Sequence, residues 1–299
     1  MLPGPLHTED EARLTPRIAI PRSLKREYWL LPVIAALAPC LSLADQQPLW
    51  ELGAGAGVVE FSDYPGSGTT RVYPIPVPYV RYRGEFLRSD RDGVHGILFN
   101  QPRVSLNISV GASVPVSSHD DPARAGMPNL SAVLEAGPSL DLHLWWSSDR
   151  SVTVDLRMPA RLGVTVSTQP QAIGWSLAPN INVDLLHLGG SDGWNVGLLA
   201  GPLFATRGYN QYFYSVAPEY ATPDRPEYAA SAGYAGSELT AAISRRYPRF
   251  WVGAFARYLN LEGATFVDSP LVQRRQDLAA GVGFAWMISK SSRMVEANE

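Results

Sequence analysis

The chain has 299 residues, of which 18% are charged and 10% aromatic, and it contains 26 glycines, 25 prolines and a single cysteine. The charged fraction is low for a soluble protein, in which about a quarter of the residues is usually charged. The mean hydropathy is −0.07, and no stretch reaches the roughly 18 uninterrupted apolar residues of a membrane helix, which excludes a bundle of such helices. If the chain crosses a membrane, it must do so with strands.

The first predicted element is an export leader at residues 1–44. Three basic residues precede the apolar stretch YWLLPVIAALAPCLSLA, which ends at Ala44 with small residues at the two positions that a signal peptidase reads. Cleavage after Ala44 also removes Cys40. The mature chain, 45–299, is therefore predicted to be a single domain that lacks disulfides and thiolate metal sites.

Removal of this leader leaves 20 basic and 24 acidic residues of the 25 and 28 in the whole chain, so the mature net charge is −4. That balance excludes a nucleic-acid-binding protein. Lys25 and Lys290 are the only lysines in the sequence, and arginine carries nearly all of the mature positive charge. The planar guanidinium group suits bidentate pairing with carboxylates.

The most regular segment is 151–166, SVTVDLRMPARLGVTV, in which apolar residues occupy one parity and mostly charged or polar residues the other. Such alternation predicts a strand. An ordinary soluble strand has about five to six residues, whereas a tilted membrane strand needs about 9 to 11 residues to cross the hydrocarbon. Alternating segments recur at 52–61, 75–86, 103–114, 134–146, 173–188, 194–205, 233–247, 250–261 and 278–288.

The links between these segments alternate in length. Short links at 147–150, 189–193 and 247–248 are separated by long links at 62–74, 115–130, 206–232 and 263–276. Aromatic residues beside the short links are typical of a girdle at a membrane interface. The pattern predicts an all-β fold, an antiparallel transmembrane β-barrel of about 10 strands with long external loops and short periplasmic turns. The count becomes about 12 if the short links near 84–102 are real turns and one more strand lies in a long loop, and a soluble β-sandwich is the alternative fold.

One parity of the predicted strands collects charged residues that would face the lumen of a barrel. They are Arg103, Glu135, Asp141, His143, Asp155, Arg157, Arg161 and Asp184. The simpler interpretation is that a narrow barrel fills its lumen with paired charges. The alternative is a selective polar path for a small solute, in which arginines favour anions.

The most aromatic segment, 209–228, lies in the longest predicted external loop. Its candidate recognition residues are Tyr209, Tyr212, Phe213, Tyr214 and Tyr220. One interpretation is that this loop folds back and plugs or caps the barrel. The other is that it contacts a ligand, a host surface or another cell-envelope protein, because clustered tyrosines suit recognition.

No catalytic, cofactor or metal site is predicted. Ser139 and His143 lie on one strand with Asp141 between them, but four residues of strand separate a nucleophile from a base by about 13 Å, too far for a hydrogen bond. The scattered histidines do not have metal-ligand spacing. The GAGAG stretch at 53–57 lacks the following helix of a nucleotide-binding loop, so we predict small residues packed in a barrel strand.

Five segments resemble the MipA/OmpV family of Gram-negative outer-membrane proteins. They are GAGAGVVEFSDYPG (53–66), YPIPVPYVRYRGEF (73–86), GYNQYFYSV (208–216), DSPLV (268–272) and LAAGVGFAW (278–286), and in this order they extend over nearly the whole mature chain. The resemblance implies an outer-membrane barrel. For some members it also implies a scaffold that brings a murein lytic transglycosylase together with a murein synthase, a penicillin-binding protein, at the periplasmic face.

The sequence after Trp286 departs from this pattern, because chains of this kind usually end at an aromatic residue that closes the last strand. We expect the last residues, about ten, to form a periplasmic tail.

Two classes of function remain open. The first is a non-enzymatic scaffold of the outer membrane, which follows from the resemblance and from the lack of a catalytic constellation. The alternative is a small-solute channel, which the charged inward parity favours, or a surface-exposed adhesion or recognition protein, which the aromatic loop favours. Outer-membrane lipid is the expected surrounding in each case.

Overall fold

The computed structural model describes residues 46–83, 87–90, 93–190 and 193–296, and the predicted leader lies outside them. The strands are β1 (Gln46–Pro48), β2 (Trp50–Ser62), β3 (Thr70–Arg83), β4 (Leu87–Asp90), β5 (Gly93–Gln101), β6 (Val104–Ala112), β7 (Val133–Trp146), β8 (Val152–Thr165), β9 (Ala172–Leu177), β10 (Asn180–Leu188), β11 (Trp194–Ala205), β12 (Gly233–Arg246), β13 (Phe250–Asn260), β14 (Gln276–Lys290) and β15 (Met294–Glu296). An α-helix, α1 (Arg207–Tyr214), and single 3-10 turns at Pro122–Arg124 and Pro218–Tyr220 lie between strands. No helix in the described part of the chain is long and apolar enough to cross a membrane.

The strands β2 to β14 form one antiparallel sheet whose pairings return to their start. Each strand pairs with the next in sequence, except that β9 does not pair with β10, and β14 pairs with β2. The strands β9 and β10 share one position, because β9 pairs with the 160–164 part of β8 and β10 pairs with the 152–157 part. Both β9 and β10 also pair with β11. The pairings therefore form a closed ring, which leaves no free sheet edge in a membrane.

Within the described residues the ring has twelve strand positions, the alternative count, rather than ten. The segment 93–114 is not one bulged strand: it turns at 102–103, and residues 96–101 of β5 pair with residues 104–108 of β6. The short strand β4 pairs with both β3 and β5 and supplies the other additional position. A two-residue turn and a four-residue strand give little periodic signal, so the sequence favoured too few strands.

The ends of the barrel differ in the length of their connections. The links 102–103, 147–151 and 247–249 are all short and lie at one end, the periplasmic one. Long links at 113–132, 206–232 and 261–275 lie at the other, external end, together with shorter ones such as 63–69. At the periplasmic end β1 pairs with β15, and residues 294–296 of the predicted tail belong to this small sheet.

Large apolar side chains on one parity of the strands point outward. Examples with high exposure are Leu134 on β7 and Leu278, Val282 and Ile288 on β14, the last at 70%. Exposed apolar area of this extent is unusual in a soluble monomer and suits a lipid-facing surface. The opposite parity carries buried polar residues such as Asp155.

The inward face is not uniformly charged. On β6, β7, β8 and β10 it is polar, but on β2, β3, β13 and β14 it consists largely of glycine, alanine and large apolar side chains. A side chain at Gly55 would collide with the backbone of Phe284, and the Trp251 and Phe255 rings lie over Gly253 and Gly281. Glycine on this arc lets neighbouring strands and inward rings approach closely. The expected charged lumen is therefore found on one arc of the ring, and glycine and apolar residues line the other.

A β-bulge changes the direction of two tryptophans. The pairing register of β7 shifts between His143 and Trp145, so that Trp145 lies on the outward face and is 54% exposed, while Trp146 pairs with Thr153 on the inward face. One extra residue in a bulged strand exchanges the faces of the residues that follow it. Simple alternation from the sequence predicts the opposite assignment.

Candidate functional site

The first candidate site is a cluster of charges on the polar arc of the lumen. The Asp155 carboxylate lies 2.8 Å from His143 Nδ1 and 3.6 Å from Arg157 Nη2. The same Nη2 atom lies 3.6 Å from Asp184 Oδ2, and Asn182 donates to that carboxylate at 2.8 Å. Asp155 and Asp184 are 6% and 7% exposed. Arg157 thus lies near two buried carboxylates on strands that pair with each other, Asp155 on β8 and Asp184 on β10.

The other predicted lumen charges on these strands also have partners. Asp141 accepts hydrogen bonds from Asn107 Nδ2 at 2.7 Å and Ser139 Oγ at 2.6 Å. Arg161 Nε donates to Ser109 Oγ at 2.8 Å. Such pairing agrees with the simpler interpretation of a lumen filled by satisfied polar groups, whereas a role in conduction stays a prediction.

Arg103 lies apart from this cluster. It is exposed in the β5–β6 turn at the periplasmic end, where its guanidinium carbon is 5.1 Å from the centre of the Trp146 ring. Its sequence parity predicts an inward position, but a turn residue at the strand end contacts the mouth of the lumen rather than its middle.

Ser139 and His143 do not form a catalytic pair. The Ser139 hydroxyl donates to Asp141, and the His143 ring contacts Asp155, so that each is bound to a different carboxylate. The separation expected from strand geometry explains this arrangement.

The lumen also contains a buried ion pair that is not among the residues predicted from the sequence. Arg246 Nη2 lies 2.8 Å from Glu51 Oε2, and Glu51 is only 3% exposed. On β2, Glu51 has the same inward parity as the glycines, and on β12, Arg246 has the same inward parity as Glu238. The alternation of residues in these two strands therefore contains the signal for an inward position of both charges.

The second candidate site is the external cap, formed by residues 63–69, 113–132, 206–232 and 261–275. Its buried core contains the Tyr214 and Phe266 rings, which stack with centres 3.7 Å apart and are 3% and 2% exposed. The other members of the core with less than 5% exposure are Tyr64, Val116, Leu130, Val133, Val216, Ala230, Leu261, Ala264 and Leu271. Because the four loops start from separate parts of the ring, their common core lies across the external mouth of the barrel.

Hydrogen bonds connect the loops of the cap to one another. Tyr64 donates to the Leu271 carbonyl at 2.9 Å, and Tyr214 donates to the Pro65 carbonyl at 3.0 Å. The buried Arg124 guanidinium donates to the Phe213 carbonyl at 3.2 Å, and burial lowers its pKa. Bonds between residues so distant in sequence hold the loops in one arrangement.

The candidate recognition residues lie mainly inside this cap. Phe213 and Tyr214 are buried, and Tyr209, Tyr212 and Tyr220 are partly buried against the same core. Buried rings of this kind cannot present their faces to an external partner. A recognition role for the segment stays a prediction, and it would have to use the polar edges of the tyrosines or the surface around them.

Helix α1 connects the cap to the lumen wall. Tyr209 donates to Glu135 Oε1 at 2.6 Å, and Ser176 donates to the other oxygen of the same carboxylate at 3.1 Å. Gly174, with φ of +130°, lies so close to Thr206 at the helix start that a side chain there would collide with the Thr206 hydroxyl. Glycine at this position therefore lets α1 pack directly on β9.

We expect the cap to weaken above about pH 10. Burial raises the pKa of Tyr64, Tyr209 and Tyr214 above the ordinary value of about 10, and the Glu135 carboxylate contributes at Tyr209. Below pH 10 these phenols are protonated in both the closed and the open cap, so they do not make the stability of the cap depend on pH. Above pH 10 the phenols of the open cap lose protons that those of the closed cap retain, so the stability of the closed cap falls.

Protease cleavage within 206–232 at pH 7.5 and at pH 10.5 measures this effect. Cleavage is expected to rise at the higher pH, and to rise less in a Tyr214→Phe variant, which has one titrating group fewer. Equal cleavage at both pH values in the wild-type chain would contradict the expectation.

The closed antiparallel ring, its outward apolar face and its unequal ends define a β-barrel protein of the outer membrane. Residues 52–288 match the family described as MltA-interacting protein MipA, and the chain belongs to that family. The resemblance noted in the sequence is thereby confirmed. No curated protein matches this sequence.

Several solved structures are similar to this chain at low sequence identity. A bacterial polysaccharide outer membrane secretin has 10% identity and a TM-score of 0.39, with 80% of this chain and 99% of that chain covered. The outer membrane phospholipase A of Escherichia coli has 12% identity and a TM-score of 0.32, covering 82% and 95%. The toluene transporter TbuX of Ralstonia pickettii has 10% identity and a TM-score of 0.26, covering 83% and 71%.

Proposed function

We propose that this protein is a non-enzymatic scaffold of the outer membrane that holds murein-processing enzymes at its periplasmic face. The observation that carries this proposal is the external cap, whose four loops share one buried core across the mouth of the barrel. A barrel covered in this way is suited to a structural role better than to free passage of solutes. The paired charges of the lumen support the same conclusion.

The partner class follows from the family description, which names an interaction with MltA. We propose a murein lytic transglycosylase as the first partner and a penicillin-binding protein as the second, both bound from the periplasmic side. The proposal includes export by a cleavable leader that ends at Ala44, and it requires neither a cofactor nor a metal.

Capture of purified enzymes by the refolded mature chain in nanodiscs tests this function. We expect wild-type nanodiscs to retain the transglycosylase. Charge reversal at the exposed Arg249, in the periplasmic 247–249 turn, should weaken capture, whereas Arg274→Glu in the external cap serves as the matched control and should not. If neither enzyme is retained by a chain that is verified as folded and inserted, the scaffold proposal is wrong.

A small-solute channel is the second candidate, favoured by exposed side chains on the inward face. Ile75 and Phe255 pair with inward glycines, yet each is 39% exposed, so the middle of the lumen holds room for water. Steady ohmic current through the wild-type chain in a planar bilayer would favour this candidate over the scaffold.

A further inference from the structure

The periplasmic mouth of the barrel carries two arginines on one tryptophan. The guanidinium carbon of Arg103 lies 5.1 Å from the centre of the Trp146 ring, and that of Arg150 lies 5.9 Å from the same ring. Arg103 comes from the β5–β6 turn and Arg150 from the β7–β8 turn. The bulge in β7 places Trp146 on the inward face. Cation-π contacts with one ring hold the two cations near each other.

Neither cation has a carboxylate partner among the residues that the structure describes. The nearest acid in sequence, Asp149, is ionised at neutral pH, but it accepts hydrogen bonds from Ser147 and Ser151 within its own turn, and these bonds lower its pKa to about 2. Both arginines are exposed. Two exposed arginines that form no ion pair within the described residues outweigh the single charge of Asp149 and attract an anion.

The surroundings of this pair are also basic. Arg249, Arg293 and Lys290 are exposed at the same end, and Arg245 stacks on Tyr247 at 4.9 Å instead of pairing with an acid. Arg246 does pair, with the buried Glu51. At the external end Arg71 pairs with Asp63 and Arg275 pairs with Glu262. Arg225 and Arg274 at that end donate to backbone carbonyls instead. The Arg103–Arg150 pair therefore lies among other exposed cations at the periplasmic end.

The guanidinium groups of Arg103 and Arg150 determine which chemical class of ligand can bind between them. A guanidinium that stacks by its face on an indole keeps its N–H edge available, and that edge matches the two oxygens of a carboxylate. Two such edges close together fit a ligand that presents several carboxylates. The periplasmic position restricts this ligand to one that lies beneath the outer membrane, where the peptide stems of murein carry free carboxylates on a continuous polymer.

We propose that Arg103 and Arg150, positioned by Trp146, bind the carboxylates of murein peptide stems at the periplasmic mouth of the barrel. This contact with the polymer goes beyond the proposed contact with murein-processing enzymes. It gives the barrel a direct attachment to the cell wall that does not require a protein partner.

Cosedimentation of the refolded mature chain with purified murein sacculi tests the proposal. Wild-type protein is expected to sediment with sacculi and to be released by salt. The Arg103→Gln, Arg150→Gln double variant should bind roughly tenfold more weakly or worse, because two charge-assisted contacts are lost. The matched control is Arg274→Gln, Arg275→Gln, which removes the same charge from the external cap and should bind like wild type.

Two further measurements distinguish a specific site for carboxylates from general electrostatic attraction. The Arg103→Lys, Arg150→Lys variant keeps both charges but lacks the planar fork, so intermediate binding is expected. Sacculi whose carboxylates have been converted to amides should bind wild-type protein as weakly as native sacculi bind the double glutamine variant. Heat-dependent mobility in gels verifies that each variant is folded.

Several outcomes would overturn the proposal. The proposal is wrong if wild-type protein stays in the supernatant, or if the external control variant loses as much binding as the Arg103→Gln, Arg150→Gln variant. It is also wrong if wild-type protein binds amidated sacculi as well as native sacculi. Binding to vesicles that contain anionic phospholipid but not to sacculi would assign the site to lipid instead. Enzyme capture is measured without sacculi, so failure of this proposal and failure of the scaffold function can be distinguished.

Discussion

Replacing Phe266 with alanine is expected to open the external cap while the barrel remains folded. The Phe266 ring is 2% exposed and stacks on Tyr214 with ring centres 3.7 Å apart. Removing a buried phenylalanine ring costs about 3 to 5 kcal/mol, because the transfer energy is lost and a cavity remains. The cap has a small core of its own, so a loss of this size removes a large part of its stability. The strand ladder of the barrel does not involve Phe266.

Limited proteolysis and heat-dependent gel mobility separate the two effects. Cleavage within 206–232 and 261–275 should increase strongly in Phe266→Ala, while the unheated protein should migrate as the folded barrel does. Val267→Ala is the matched control, since Val267 is adjacent but only partly buried, and it should resemble wild type. A Phe266→Ala chain whose loops resist the protease as the control does would show that the cap does not depend on this ring.

The Phe266→Ala variant also helps to decide whether the protein is a scaffold or a channel. If the cap alone closes the barrel, Phe266→Ala should conduct in a planar bilayer while wild-type protein is silent. If both are silent, the ion pairs and side chains within the lumen close the barrel as well. Silence from both proteins therefore strengthens the scaffold proposal.

The alternation of residues in the sequence was sufficient to predict the barrel, because a membrane imposes opposite environments on the two faces of every strand. Asp155 and Arg157 lie two residues apart on β8, so their common inward face follows from strand geometry alone. Their shared partner Asp184 also follows by parity, although its distance to Arg157 needs the register of β10.

The features that sequence analysis missed depend on local irregularity or on distant contacts. The β7 bulge reverses Trp145 and Trp146, and a bulge of one residue has no periodic signature. The inward glycine arc becomes visible only when Gly55 is placed against β14. The core of the cap joins Tyr64 to Leu271 and Tyr214 to Phe266, and such contacts between separate loops cannot be obtained from the spacing of residues.

Removing the charge of Arg157 is expected to destabilise the barrel itself. In the Arg157→Gln variant, the buried Asp155 and Asp184 lose the cation that lies 3.6 Å from both. Breaking a buried ion pair by removing one partner costs about 3 to 5 kcal/mol, because the remaining buried charge loses its compensation. His143 remains beside Asp155 and Asn182 remains beside Asp184, so both carboxylates keep a hydrogen-bonding partner. The midpoint of unfolding in urea, measured in detergent at neutral pH, should therefore fall clearly.

Two variants test whether charge is the cause. Adding Asp184→Asn to Arg157→Gln removes one of the two carboxylates beside the lost cation and should recover much of the lost stability, since the amide can still accept the Asn182 hydrogen bond. Arg161→Gln is the matched control, because Arg161 contacts the neutral Ser109 and its loss should cost about 1 kcal/mol. Equal destabilisation by Arg157→Gln and Arg161→Gln, or no recovery in the double variant, would contradict the ion-pair explanation.

Conductance of an Arg157→Ala, Arg161→Ala double variant distinguishes the two interpretations of the lumen charges. If the arginines line a path for anions, wild-type protein conducts, and the variant changes the current and its preference between anions and cations. If the arginines rigidify a closed lumen, wild-type protein is silent and the variant is less stable. A current that arises only in the variant would identify the Arg157 cluster as the internal closure of the barrel, because its removal would then open a path through the lumen.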